Sequence, residues 1–154
     1  MPIWRLTNHA MQDLGRGRKA NWIELANTTA NAYNIVFVED GDFDATNVTV
    51  ADFIASAAGG ESGNYVRTPL TGVAYDITTP ASPMLKAANM NIEVSGGTMT
   101  TNMCALYQNN PGSSDATWNI VAIANLGARE VSDGSNLVLN DLTPGMIQLD
   151  DPNQ

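Results

Sequence analysis

The sequence of 154 residues is poor in the residue types from which reactive sites and cross-links are built. It contains one cysteine, Cys104, and one histidine, His9, so an internal disulfide and the usual structural zinc site are both excluded. A Ser-His-Asp triad would need His9, yet no G-x-S-x-G turn is present. The lack of a disulfide fits folding in a reducing cytoplasm.

Charged side chains and long apolar runs are also scarce. Charged residues make up 15% of the chain, whereas about a quarter is usual in globular proteins. No apolar run reaches the roughly 18 residues that a membrane-spanning helix needs. The N-terminus has no apolar signal core. We therefore predict no membrane partner and no secretory signal.

The few charges are unevenly distributed along the chain. Residues 1–20 hold four basic side chains and one acid, a net charge of +3, and the remaining residues hold three basic side chains and fifteen acids, a net charge of −12. Because residues 21–154 are this acidic, we expect that they do not bind nucleic acid by neutralising its phosphates. The basic segment at residues 1–20 could instead bind an acidic partner, or it could be a solvated terminus.

Most of the chain carries the pattern of short β-strands separated by turns. Apolar and polar residues alternate, β-branched residues are frequent, and turn residues recur about every ten positions. The segment 109–114, Asn-Asn-Pro-Gly-Ser-Ser, is the strongest turn signal. The predicted strands are 22–25, 32–38, 65–67, 73–77, 90–94, 98–107, 118–125, 137–139 and 147–149.

Two short helices are predicted from capping and apolar spacing. Thr49 and Asp52 form a capping-box variant ahead of Val50, Phe53, Ile54 and Ala57, which predicts a helix over Val50–Ala58 packed on the sheet. A second short helix is predicted over Thr7–Asp13, with Thr7 as the N-cap.

These elements predict a mainly β protein, an antiparallel β-sandwich or jelly-roll-like barrel with one or two short helices. We divide it into a basic and apolar N-terminal arm at residues 1–20, a β domain at 21–150 and a polar tail at 151–154. No internal repeat or long linker argues for a second domain.

Only the acidic loop resembles a metal-binding motif. Asp40, Asp42 and Asp44 alternate like the first half of a calcium loop, but Ala45 and Ala51 stand where an EF-hand needs glycine and glutamate. A solvated loop is the favoured interpretation, and a calcium site of another kind stays open. No spacing selects a pair of catalytic carboxylates. We predict no enzyme activity, no cofactor and no metal.

Residues Tyr33–Leu149 resemble a family of small structural proteins of tailed phages. The resemblance runs through Tyr33–Val38, Val50–Ile54, Glu61–Val73, Met90–Val94, Met103–Tyr107, Trp118–Asn125, Ser132–Ser135 and Pro144–Leu149. It covers about three quarters of the chain and rests on the order and spacing of segments. The first thirty residues depart from the family's usual lead-in.

The resemblance implies a non-catalytic virion component, most simply an outer capsid decoration or cement subunit. Its partners would be the major capsid protein and further copies of itself, as a homotrimer, and its location the virion surface. A head fibre or tail position is the nearest alternative. A glycan- or receptor-binding module is the alternative of another class, and it would use exposed Trp4, Trp22 or Trp118.

The N-terminal arm is the predicted partner-binding segment. A solvated tail would leave its apolar side chains exposed, which favours docking on a capsid shell or a neighbouring copy. The alternative is that the arm folds back and completes its own core. The predicted partner-binding residues are Trp4, Leu6, Met11, Leu14, Arg16, Arg18 and Lys19.

Overall fold

The computed structural model describes residues 3–8, 10, 33–76, 84–109, 114–140 and 147–148. Within these ranges the chain is mainly β, as predicted from its pattern. The elements in chain order are β1 (Ile3–Leu6), β2 (Tyr33–Glu39), α1 (Val50–Ser56), β3 (Gly60–Glu61), β4 (Ala74–Asp76), β5 (Met84–Lys86), β6 (Met90–Glu93), β7 (Met99–Gln108), β8 (Ile120–Val131), β9 (Asn136–Leu139) and β10 (Ile147–Gln148).

The strands form one main sheet and two smaller sheets. The main sheet has the order β1-β8-β7-β2-β3, and every neighbouring pair in it is antiparallel. The smaller sheets have the orders β10-β5-β4 and β6-β9, and they are antiparallel too. This arrangement confirms the predicted antiparallel, sandwich-like fold with a short helix.

Apolar side chains cover both faces of the main sheet. On β2, Ile35 and Phe37 belong to the core between the main sheet and the β6-β9 sheet, while Val36 and Val38 belong to the core beneath α1. Successive side chains of a strand point to opposite faces. A strand that is buried on both faces therefore reads as the continuous apolar run seen in β2.

The helix α1 begins where the capping pattern predicts. The Thr49 hydroxyl accepts a hydrogen bond from the Asp52 N–H, and the Asp52 carboxylate accepts one from the Thr49 N–H, at 3.2 and 2.9 Å. Val50 and Phe53 are fully buried against the sheet. The helix ends at Ser56, two residues before the predicted end, because Ala57 adopts an extended conformation.

Strand β8 is longer and less regular than the pattern predicts. Leu106 on β7 pairs with Ala122 on β8 and Tyr107 pairs with Ile120, so Val121 is an extra residue on β8. Further extra residues of β8 lie between Asn125, which pairs with Met103, and Arg129, which pairs with Thr101. The second irregularity is a β-bulge that contains Gly127 at φ +67°. Such a backbone angle favours glycine. The strand continues past this bulge to Val131.

Three further predictions differ from the structure. Residues 65–67 form no strand, and Tyr65 makes only an isolated bridge to Val94. Residues 3–6 and 84–86, for which no strand is predicted, form β1 and β5. In the predicted N-terminal helix, the Thr7 hydroxyl accepts the Ala10 N–H at 3.2 Å, which is the expected cap. Asn8 and Ala10 are helical, and positions 9 and 11–13 of that segment lie outside the described residues, as does Trp22–Leu25.

Candidate functional site

Two of the predicted partner-binding residues lie inside the protein's own core. β1 pairs with β8, and this pairing places Trp4 opposite Ala124 and Leu6 opposite Ala122. Trp4 is 4% exposed and Leu6 is 7% exposed. These two side chains are therefore core residues in the folded chain, because small alanines on β8 leave room for them. Met11, Leu14, Arg16, Arg18 and Lys19 lie outside the described residues.

The Trp4 side chain is buried with one polar atom unsatisfied. Its indole Nε1 has no hydrogen-bond partner within the described part of the chain. A buried donor without an acceptor costs about 1–3 kcal/mol. The packing of Trp4 against its neighbours must outweigh this penalty for β1 to stay on the sheet.

The acidic loop does not gather its carboxylates. In the ranges that the structure describes, no group of three or more His, Cys, Asp or Glu side chains is placed to hold a metal. Asp42 and Asp44 are exposed, and the Asp44 carboxylate accepts hydrogen bonds from the Thr46 N–H and hydroxyl at 2.8 and 2.6 Å. These bonds lower the pKa of Asp44. Asp42 and Asp44 thus lie at the solvent-exposed surface of this loop.

The most organised polar cluster surrounds Arg67. Its guanidinium forms bidentate pairs with two carboxylates, with Glu61 at 2.7 and 2.6 Å and with Asp115 at 2.6 and 3.0 Å. The Tyr65 hydroxyl donates a further hydrogen bond to Glu61 at 2.8 Å and accepts one from the Phe37 N–H at 3.1 Å. We call Glu61, Tyr65, Arg67 and Asp115 the Arg67 cluster.

The cluster is held in place by backbone and aromatic contacts. The Asp115 carbonyl accepts the Ala51 N–H at the start of α1. The Tyr107 ring lies 5.8 Å from the guanidinium carbon and stacks on Trp118 at 5.4 Å. Arg67 has only 20% of its side chain exposed. The cluster thus joins β3, the 65–69 segment, the turn at 115–117 and α1.

The environment of the cluster favours charge pairing over proton transfer. Burial alone would lower the pKa of Arg67, but the hydrogen bonds that its guanidinium donates to Glu61 and Asp115 raise this pKa above its ordinary value. Burial raises the pKa of the Tyr65 phenol. A permanently charged guanidinium that occupies both carboxylates leaves neither as a free general base. The Arg67 cluster is therefore suited to holding its chain segments together through ion pairs.

Sequence reasoning missed the Arg67 cluster as a unit. The one available signal was that Arg67 is among only three basic residues in an otherwise acidic body, which makes an ion pair expected. Its two carboxylate partners come from six and 48 residues away along the chain. No local pattern identifies such distant partners.

The remaining candidate side chains show little reactivity. Cys104 is fully buried on β7, and burial raises the pKa of its thiol, as expected for a core residue. Trp118 is partly buried and precedes β8 rather than lying within it. His9 and Trp22 lie outside the described residues.

No helix in the described part of the chain is long and apolar enough to cross a membrane.

Comparisons with known proteins identify no relative. Neither the protein-family models, the curated proteins nor the solved structures contain a match to this chain.

Proposed function

We propose that this chain is a non-catalytic structural subunit of a tailed-phage virion, an outer capsid decoration or cement protein. The subunit would bind the major capsid protein lattice from outside and stabilise the shell. The resemblance over Tyr33–Leu149 supports the assignment to the virion. The observation that carries the non-catalytic part is the Arg67 cluster, in which a guanidinium occupies both carboxylates.

The described surface supports an adhesive role. On β6 and β9, three of the four exposed side chains, Asn91, Asn136 and Val138, are uncharged, and the fourth is Glu93. A surface of this kind packs against a neighbour without burying charge, and burial of unpaired charge is the main penalty of association. Many weak identical contacts on a lattice then add through multivalency.

Self-association as a homotrimer is part of the proposal and comes from the resemblance. Closed symmetry is the usual solution for homo-oligomers. Docking of the arm on the capsid now rests on Met11, Leu14, Arg16, Arg18 and Lys19, since Trp4 and Leu6 are engaged in the core. The virion surface is the proposed location, after folding in the host cytoplasm.

Co-sedimentation with empty capsids tests the proposal. We expect saturable binding in a fixed ratio to the major capsid protein, together with a higher temperature of capsid disruption. Serum albumin in place of the protein controls for trapping in the pellet. If the protein stays in the supernatant at every concentration while known capsid ligands sediment, the decoration function is refuted.

A receptor- or glycan-binding module is the alternative, and one observation favours it. Trp118 keeps part of its surface exposed and stacks on Tyr107, whose ring also lies 5.8 Å from the Arg67 guanidinium carbon. Sugars bind to aromatic faces that have polar groups nearby. Trp4 is no longer available for this role because it is buried. Binding on a glycan array that is lost in Trp118→Ala, combined with no capsid binding, would support the alternative.

A further inference from the structure

We draw no further inference here: the strongest candidate, the outer edge of β9 with its exposed Val138 side chain, has no strand beside it within the described ranges, and nothing in the structure shows what covers it.

Discussion

Replacement of Trp4 by alanine tests whether β1 belongs to the folded domain. β1 is the edge strand of the main sheet, and its residues pair with Ala122–Asn125 of β8. Trp4 reaches the core that also contains Ile35, Phe37 and Ile92. The change removes the largest apolar side chain that β1 contributes.

The expected loss follows from burial and from the unsatisfied indole. Replacement of a buried Trp or Phe by alanine destabilises a protein by about 3–5 kcal/mol. Trp4 is 4% exposed, which argues for the full effect, but its Nε1 lacks an acceptor, and removing that donor returns about 1–3 kcal/mol. We therefore expect a loss of about 2 kcal/mol in the free energy of unfolding.

Urea denaturation followed by far-UV circular dichroism measures this loss without relying on tryptophan fluorescence. Arg5→Ala is the matched control, because Arg5 is exposed on the same strand and its main contact is with the Phe43 ring at 5.3 Å. It should change stability by less than about 1 kcal/mol. A Trp4→Ala protein that is within about 0.5 kcal/mol of the wild type would show that β1 is not docked on β8.

Three further predictions concern the helix and the Arg67 cluster. Phe53→Ala should lower the free energy of unfolding by about 3 kcal/mol, because Phe53 is fully buried on the side of α1 that packs on the sheet. A loss below about 1 kcal/mol would contradict that packing. Arg67→Ala should lower it by about 2 kcal/mol and more than Glu61→Ala, because it leaves both carboxylates unpaired; equal or smaller losses on urea denaturation would argue against the cluster. Hydrogen bonds from Thr49 hold the pKa of Asp52 below its ordinary value of 3.8. The ionised Asp52 carboxylate therefore stabilises the folded state above pH 3.8, and this stabilisation is lost as the pH falls through the lowered pKa. The stability difference between wild type and Asp52→Ala, measured by urea titration from neutral to acidic pH, should shrink in that range, and a difference that grows there would have the wrong sign.

The parts of the fold that were predictable from the sequence are those set by local chemistry. The capping pattern at Thr49 and Asp52 satisfies helix N–H groups within a few residues, so the start of α1 is readable. The apolar run at β2 is continuous because that strand is buried on both faces. Both signals depend on near neighbours along the chain.

The parts that were missed depend on distant partners. β1 becomes a strand only because Trp4 and Leu6 fit over Ala124 and Ala122, which lie more than a hundred residues away. Its sequence, with an arginine between two apolar residues, carries a weak strand signal by itself. The Arg67 cluster likewise joins segments whose proximity is decided by the sheet topology.

Cryo-electron microscopy of the virion tests the central claim most directly, because it shows where this subunit lies. The account predicts density for a small, sandwich-like domain of 16.4 kDa on the outer surface of the shell, in contact with the major capsid protein and repeated over the lattice. Density for this domain in the tail or a fibre, with none on the shell, would contradict it.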